Sequence, residues 1–598
     1  MIKSILLAPR RMAVLLCILL MSGCATRLPV SVDRSRLLPE RQHQLVNQVN
    51  AAMNKGNITG LSLAVVDREG LLWSGNFGFA DKVKQKTPTT NTLYRIGSIT
   101  KLFTATAIIQ LHERGLLNLY DPVSKYVPQF KVSACFDGKE ITIAQLLTHQ
   151  SGLPHSYEPD FWTGDDWRDV AADLSCDMVP YPPGLIVSYS NIGYTLLGHI
   201  VEKVSGESYH RYIQTHILKP LHIEDDAALF ELQGQLSDAR LDERISHAYD
   251  LSGQETREPL LRDLPAGGMY ANTTAVAQFL AYFLRGATDQ DNGLFSKQET
   301  AAETLRPHGL ENALTMDLKV GWGWFLRRSP DNDLDDIPQH NGSTKFHHGQ
   351  VMLSPKRGLG IVLLANSGSR DELHALSQRL LTLVAPQHES STGRTAVKAD
   401  SPAVEFCANE KIPGYYASEL GLVKVQADGR DFTANTNELR LQLNATESNY
   451  FAPSYRLLGL LALGKSVFGD LQISLRCANN LIFATVKEKK EEFSIAYRVY
   501  ADKQSQLGDK WLGRYKLSGV GNDSASLRIW REGDELFMET EHLPVSVDKR
   551  SFLLSALDVQ RARVLYLNDK WGPLLSFSDS PQGMLASYQG FTFFKVVP

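Results

Sequence analysis

One stretch, residues 97–103, constrains the fold of this chain more than any other. A strand-like run at 92–96 precedes it, and an apolar-periodic helix begins within it. Ser98 and Lys101 are one helical turn apart, so their side chains share a face. A serine hydroxyl becomes nucleophilic when a base takes its proton, and a lysine whose pKa is lowered by burial is such a base. The stretch therefore predicts a nucleophile and its base at a strand-to-helix junction, beside backbone N–H groups that suit an oxyanion.

The Ser-x-x-Lys spacing is a weak signal by itself, because it also occurs at Ser546–Lys549, where we interpret it as a chance match on a β surface. A second segment strengthens it. The Pro-Gly at 183–184 breaks the chain before Tyr189 and Asn191, which a loop would present on one side. A phenol can relay protons and an amide can orient a substrate carbonyl, so both suit a site built around a lysine.

A third segment follows at His340, Gly342 and Ser343, before strand-like runs at 351–353 and 360–366. A glycine at 342 is predicted to let substrate lie close against an edge strand. The backbone N–H groups of Ser98 and Ser343 are then predicted to form an oxyanion hole.

Together these motifs resemble the serine β-lactamase and penicillin-recognising enzymes, in the class C-like branch that includes class C β-lactamases, DD-peptidases, D-aminopeptidases and esterases. The resemblance covers roughly residues 40–385, and supporting matches lie at 146–154, 265–270 and 321–324. It implies an α+β fold, with a mixed sheet flanked by helices, an all-helical lobe and the site between them. It also implies acylation of Ser98, acid–base work shared by Lys101 and Tyr189, and substrate binding by Asn191.

The third motif of this family is Lys-Thr-Gly or His-x-Gly, and His340 would occupy the position of its lysine. In class C β-lactamases this position holds a cation that binds the β-lactam carboxylate. The resemblance therefore puts efficient β-lactamase activity in doubt and favours peptidase or esterase chemistry. His347 begins a second His-x-Gly sequence, but choosing it would shorten the following hairpin by seven residues, which strand register tolerates poorly. We therefore assign the third motif to His340.

The N-terminus reads as a targeting segment. Basic residues at 3, 10 and 11 precede a short apolar run at 12–20, and residues 21–25 resemble a bacterial lipobox with Cys24 as the lipidated residue. This predicts a lipoprotein signal at 1–24, a tether at 25–37 and a membrane-anchored protein that faces the periplasm. Ala25 resembles outer-membrane sorting. An ordinary signal peptide with an incidental cysteine is the alternative.

Four of the six cysteines remain once Cys17 in the signal and Cys24 are set aside. An even number in an exported chain indicates disulfides, and sequence neighbourhood favours Cys135–Cys176 and Cys407–Cys477. Four buried free thiols are the alternative. No cysteine spacing indicates a metal site, and we expect neither a metal nor a cofactor.

The length of 598 residues predicts several domains, and the net charge of −4 gives no reason to expect nucleic acid as a partner. We place the hydrolase domain at 38–385 and a polar linker at 386–404. Short alternating strands follow, and similar openings near residues 412 and 511 predict two related β modules, at 405–503 and 504–598, each a small barrel or sandwich. The apolar run at 457–464 is interpreted as core, with a flap as the alternative.

The sequence thus favours a serine hydrolase that forms an acyl-enzyme with a small peptide, amide or ester, including D-amino-acid or peptidoglycan-derived peptides. Two alternatives stay open. One is a carboxylesterase or weak β-lactamase, and the other is a penicillin-binding-like module without turnover.

Overall fold

The structure, a computed structural model, describes most of the chain. In the first part it describes residues 29–132, 138–156, 166–175, 178–230, 243–285, 293–297, 299–309, 318–327 and 336–385. In the second part it describes residues 405–418, 421–436, 440–446, 449–457, 461–463, 471–478, 481–488, 491–500, 509–517, 526–541, 550–556, 560–565, 574–581, 583–588 and 591–596.

Strands and helices alternate through the first part. Its strands are β1 (Val30–Ser35), β2 (Gly60–Asp67), β3 (Gly70–Gly78), β4 (Tyr94–Arg95), β5 (Ala228–Phe230), β6 (Ala248–Tyr249), β7 (Glu255–Thr256), β8 (Met269–Ala271), β9 (Lys319–Val320), β10 (Phe325–Arg327), β11 (Ile337–Ser343), β12 (His348–Ser354) and β13 (Leu359–Ala365). Its helices are α1 (Pro39–Gly56), α2 (Thr100–Glu113), α3 (Ile143–Leu147), α4 (Val170–Asp173), α5 (Asn191–Ser205), α6 (Tyr209–Ile213), α7 (Leu264–Gly267), α8 (Thr273–Arg285), α9 (Thr300–Thr304) and α10 (Arg370–Val384).

The central element is an eight-stranded sheet in the order β1-β3-β2-β13-β12-β11-β10-β9. Its pairs run antiparallel, as the short hairpin connections allow. Side chains that alternate along β2 therefore enter two cores. Leu63 and Val65 pack with α1 and α10 on one face, whereas Ala64 and Val66 face the core that contains α8.

Helices α2 and α5 form the centre of the second core, which extends from the sheet into the helical lobe. Every residue of α2 from Thr100 to Leu111 is buried, so this helix is enclosed on all sides and lies inside the domain. The predicted α+β architecture is confirmed. The sheet was predicted to be mixed, and its described strands all pair antiparallel. Among the described helices, none combines the length and the apolar character needed to span a bilayer.

The second part contains two β-barrels. The first uses β15 (Gly414–Ser418), β16 (Gly421–Asp428), β17 (Asp431–Asn435), β18 (Arg440–Ala445), β19 (Phe451–Leu457), β21 (Gln472–Ala478), β22 (Leu481–Glu488) and β23 (Glu491–Val499), with β14 (Glu405–Phe406) and β20 (Leu461–Leu463) as flanking strands. Pairing of Phe451 with Ile473 joins β19 to β21 and completes the ring. The second is a closed barrel of β24 (Gly513–Leu517), β25 (Ser526–Glu532), β26 (Glu535–Glu541), β27 (Arg550–Ala556), β28 (Arg561–Val564), β29 (Leu574–Ser580), β30 (Gly583–Tyr588) and β31 (Phe591–Val596).

The two barrels open in the same way, as their similar sequences predicted. In each, a 3-10 turn precedes the first strand, and a tyrosine of that strand donates a hydrogen bond to a carbonyl of the turn. Tyr416 donates to the Ile412 carbonyl at 2.8 Å, and Tyr515 donates to the Trp511 carbonyl at 2.7 Å. The predicted Cys407–Cys477 disulfide is present in the first barrel.

The predicted tether at 25–37 is wrong in part, because β1 at Val30–Ser35 pairs with β3 and extends the sheet. Backbone pairing along a strand edge does not require the strong apolar alternation that would have marked this segment in the sequence. Three other predictions concern residues outside the described part of the chain: the Cys135–Cys176 disulfide, the linker at 386–404 and the second Ser-x-x-Lys match at Ser546–Lys549. Cys24 also lies there.

Candidate active site

Ser98 lies in a short 3-10 turn, Gly97–Ile99, that leads from β4 into α2. Gly97 has a φ of 54°, in the region that favours glycine. A Cβ at this position would stand 2.6 Å from the backbone nitrogen of Ser343, so only glycine lets β11 approach the turn. The Thr100 hydroxyl donates to the Gly97 carbonyl at 2.7 Å and fixes the turn. Ser98 is half-buried at the surface of this junction.

Strand β11 lies directly against that turn. Strand β10 pairs with β11 as far as Gln339, so the following residues of β11 border the site. A Cβ at Gly342 would collide with the carbonyl oxygen of Ile96, which is a reason for glycine that the sequence did not indicate. Gly342 therefore serves the contact between β11 and the Ser98 turn. This contact brings the Ser343 backbone beside the turn that carries Ser98.

Lys101 is fully buried, and its amine meets three oxygens. Its Nζ lies 3.2 Å from Ser98 Oγ, 2.6 Å from Asn191 Oδ1 and 2.7 Å from the Ala266 carbonyl. The amide oxygen and the carbonyl can only accept hydrogen bonds, whereas the serine hydroxyl can also donate. A neutral amine has two N–H groups and one lone pair, so this set of partners directs the lone pair at Ser98.

Burial holds the pKa of Lys101 well below its usual value. The carboxylate of Asp263 opposes this effect by favouring the charged amine. Asp263 is itself fully buried, and Arg262 donates to it at 2.7 Å. Burial raises the pKa of Asp263, although Arg262 and Lys101 act against that rise.

Tyr189 packs beside the same amine. Lys101 Nζ is 4.8 Å from the centre of the Tyr189 ring, and the phenol hydrogen-bonds Ser98. Burial raises the pKa of Tyr189, with the bond to Ser98 as a smaller opposing effect. Tyr189 is thus a neutral phenol at ordinary pH and carries a proton.

Asn191 begins α5, where the Ser190 side chain caps the helix by accepting from the Gly193 backbone at 3.0 Å. The Asn191 amide is oriented from both ends. Its oxygen accepts from Lys101, and its nitrogen donates to Ser156 Oγ at 3.1 Å. Through this contact Asn191 positions the lysine.

Two buried histidines, His149 and His340, lie next to the Tyr189 ring. The His149 ring lies 4.4 Å from the Tyr189 ring, and the His340 ring lies 6.3 Å from it. His149 Nδ1 accepts from the Ser190 backbone at 3.1 Å. Nδ1 of His340 lies 2.6 Å from the Asn341 carbonyl, to which it donates. Burial, together with the Lys101 amine, lowers the pKa of His340 to about 3, so its ring is neutral at neutral pH.

The structure places His347 differently. It lies in the turn between β11 and β12, where its Nδ1 accepts from the Arg95 backbone at 3.0 Å. Glu258 anchors this turn by accepting from the backbone of Phe346 at 2.8 Å and of His347 at 2.7 Å. His340 therefore borders Tyr189, whereas His347 supports the hairpin.

Several residues of this site were not identified from the sequence. The Ala266 carbonyl and Ser156 hold the Lys101–Asn191 pair, and Asp263 sets the charge behind it. His149 lies within the supporting match at 146–154, which assigned it no role, and its ring packs against Tyr189 at a tilt of 36°. The supporting match at 265–270 is the sequence signal for that carbonyl.

The fold and this site define a class: penicillin-recognising serine proteins, with Ser-x-x-Lys at a buried helix, Tyr-x-Asn at a second helix and a strand beside the serine. Comparison with known proteins gives the particular family. Residues 45–385 match the beta-lactamase family model, and the chain belongs to this family.

Relatives and solved structures agree with that assignment. Protein flp of Staphylococcus aureus strain N315 is 30% identical over 342 residues, which span 56% of this chain and 65% of the relative. Penicillin-binding protein 4 of Amycolatopsis lactamdurans is 28% identical over 294 residues, 47% of this chain and 74% of the relative.

Two solved structures share the fold over a larger share of the chain. A penicillin-binding protein homologue from Pyrococcus abyssi aligns with a TM-score of 0.50 at 22% identity, over 76% of this chain and all of that one (100%). SurE aligns with a TM-score of 0.55 at 23% identity, over 77% of this chain and 99% of that one.

Proposed function

We propose that this protein is a serine hydrolase that forms an acyl-enzyme on Ser98 with an amide or ester substrate. The observation that carries the proposal is the set of partners of Lys101. Two acceptor-only oxygens take its N–H groups, and the remaining contact, at 3.2 Å, is the Ser98 hydroxyl. A lysine held neutral in this orientation is a general base for the serine.

The reaction then follows from the contacts. Lys101 Nζ takes the proton of Ser98, and Oγ forms a bond to the substrate carbonyl carbon. The backbone N–H groups of Ser98 and Ser343 stabilise the oxyanion. Tyr189, a neutral phenol bonded to Ser98, delivers a proton to the leaving group as its bond to carbon breaks. A water molecule attacks the acyl-enzyme in the second half, with the proton transfers reversed.

The neutral His340 favours particular substrates. No permanent cation stands at the third motif, because burial keeps the pKa of His340 at about 3. Phe325, whose ring lies 5.5 Å from His340, adds an apolar surface there. Acyl donors that carry no carboxylate at this point are favoured, which supports an esterase or a peptidase acting on D-amino-acid derivatives over a β-lactamase.

Labelling of the nucleophile tests the catalytic part. A fluorophosphonate probe should label the wild-type protein, and Ser98→Ala should abolish both labelling and turnover. Ser343→Ala is the matched control, because Ser343 acts through its backbone and should retain most of the activity. Labelling that survives in Ser98→Ala would refute the proposal. A chain that labels but turns over no substrate would support the non-catalytic alternative.

A substrate panel tests the specificity. We expect p-nitrophenyl esters or D-amino-acid p-nitroanilides to be hydrolysed with a kcat/KM at least about 100-fold above that of nitrocefin, since a lost ion pair costs on this order. D-Leu derivatives belong in the panel, because one SurE structure of the same fold is titled as a complex with D-Leu. Nitrocefin as the best substrate would contradict the argument from His340.

We further propose that Cys24 is lipidated and that the domain faces the periplasm from the outer membrane. The match of residues 21–25 to a lipobox supports this. Radiolabelled fatty acid should be incorporated into the wild type and not into Cys24→Ala, which should leave the membrane fraction. Equal labelling of both would refute the anchor.

A further inference from the structure

Two hairpin tips at one end of the first domain expose large apolar side chains. The first tip follows β3, where Asp81 bridges to Lys86 and Val83 between them is 82% exposed. The second is the turn between β6 and β7, where Leu251 is 68% exposed.

The tips touch each other, so the two apolar side chains belong to one surface. The Lys82 backbone donates to the Tyr249 hydroxyl at 2.7 Å, and the Lys82 amine donates to the Gly253 carbonyl at 3.1 Å. Both turns are also fixed internally. Asp250 accepts from the Gln254 backbone at 3.0 Å, and Asp81 accepts from the Lys84 backbone at 2.9 Å.

The first tip carries an excess of positive charge, since residues 81–86 contain three lysines and one aspartate. Lys82, Lys84 and Lys86 are exposed around Val83. Among the acidic groups nearby, Asp81 is buried and bonded to its own turn, Asp250 bonds its own turn, and Glu255 pairs with His247 at 2.9 Å. Exposed Glu243 lies beside Lys86, whose amine donates to its carbonyl at 2.6 Å. An exposed apolar side chain surrounded by lysines suits a bilayer with anionic headgroups, because the headgroups attract the lysines and the apolar side chain can enter the bilayer.

The start of the chain lies beside the same surface. The Pro29 carbonyl accepts from the Gly78 backbone at 3.0 Å, and Gly78 is three residues before Asp81. Four residues lie between Cys24 and Pro29, and an extended chain over these five Cα-to-Cα steps spans at most about 18 Å. An acyl group on Cys24 would therefore hold this end of the sheet close to the bilayer.

We propose that Val83 and Leu251 dock in the headgroup region of an anionic phospholipid bilayer, with the lysines around them binding lipid phosphates. The geometric part of this argument rests on the lipid anchor proposed above. Docking would also fix the direction of the active site, because Ser343 lies on the same lateral row of the sheet as the chain start. The row runs through Ser343, His348, Ala365, Leu61, Phe77 and Val30.

Flotation of the secreted chain, residues 25–598, tests docking without the lipid anchor. It should float with vesicles of phosphatidylglycerol and phosphatidylethanolamine and much less with phosphatidylcholine. The double variant Val83→Asp/Leu251→Asp should bind the anionic vesicles at least about tenfold more weakly. Leu116→Asp is the matched control, since Leu116 is 52% exposed elsewhere on the same domain, and it should float like the wild type.

Unchanged melting temperature and fluorophosphonate labelling would show that the double variant is folded. Failure of the wild type to float, or equal flotation of the double variant, would overturn the proposal. Loss of a dimer in the double variant without loss of flotation would also overturn it, in favour of a second copy of this chain. Absent fatty-acid labelling of Cys24 with intact, tip-dependent flotation would refute the anchor alone and leave docking supported.

Discussion

Lys101 in the first domain and Arg476 in the first barrel are both basic side chains removed from water, but their partners differ. Lys101 meets a hydroxyl, an amide oxygen and a carbonyl, and its carboxylate neighbour Asp263 is already bonded to Arg262. Arg476 meets Glu492 directly, donating through Nε at 2.9 Å and Nη2 at 2.7 Å. Ser474 and Tyr450 donate to the same carboxylate, and the Phe406 ring lies 3.6 Å from the guanidinium.

This difference in partners makes Lys101 a group that can gain and lose a proton, whereas Arg476 and Glu492 form a permanent ion pair. Burial without direct charge compensation lowers the pKa of Lys101, so that its proton can move at working pH. Burial also acts to raise the pKa of Glu492, but the bonds from Arg476, Thr485 and Ser474 outweigh it and lower the pKa overall. Burial of a basic side chain therefore serves chemistry in one region and stability in the other.

The largest expected effect separates activity from stability. Lys101→Met should lower kcat/KM by at least about 10³-fold, because the general base is lost. The melting temperature should stay equal or rise, since an uncompensated buried amine is replaced by an apolar chain of similar length. Steady-state kinetics and calorimetry measure both, with exposed Lys203→Met as control. A large loss of stability would contradict the comparison.

In the barrel the opposite pattern is expected. Glu492→Gln should destabilise the first barrel by about 3 kcal/mol, because Arg476 keeps its charge without its anion. The folded pKa of Glu492 is lowered, so its stabilisation is present above the unfolded pKa and is lost as pH falls through the folded value. Denaturation of wild type and variant should therefore converge in acid. Exposed Glu410→Gln is the control, and changed catalysis at constant folding would argue against the separation.

The Cys407–Cys477 disulfide joins the two segments that place Phe406 over Arg476. It links residues 70 apart in sequence, and closing a loop of this length stabilises a fold by about 2–4 kcal/mol. Cys407→Ser/Cys477→Ser should lower the melting temperature of the barrel and leave kcat unchanged. A variant that melts like the wild type would show that the ion pair is held without the bond.

The smallest expected effect is a shift in pH dependence. Asp263 raises the pKa of Lys101, so Asp263→Asn should lower it further and keep the amine neutral at lower pH. The acid limb of kcat/KM should move to lower pH, increasing the rate on that limb by up to about tenfold, or about 1.4 kcal/mol. Asp250→Asn, remote from the lysine, should not move it. A shift to higher pH would refute the role of Asp263.

Local spacing made part of this predictable. Ser98, Lys101, Tyr189 and Asn191 were found because each motif places its residues within one turn or loop. His340 was chosen over His347 by counting the hairpin, and the structure places His340 in β11 and His347 in the turn.

Contacts between distant segments were not predictable in the same way. Lys101 meets the Ala266 carbonyl across 165 residues, and Glu258 meets the His347 backbone across 89. Hydrophobic periodicity indicates local structure and does not identify partners that are distant in sequence. A backbone carbonyl is present in every residue, so the residue type does not mark it as an acceptor. Gly342 shows a related limit, because the sequence marked a position that needs glycine but not which atom, the Ile96 carbonyl, requires it.

Strand β1 has a consequence for handling the protein. It covers the outer edge of β3 from Trp73 to Phe77, and it is itself only six residues long with Asp33 and Arg34 at its centre. Short, charged edge strands resist pairing with other molecules, whereas long apolar ones invite aggregation. A chain trimmed by a protease after residue 35 would expose β3 in place of β1. We expect such a chain to keep its catalytic residues and to self-associate in a concentration-dependent way, which light scattering would detect.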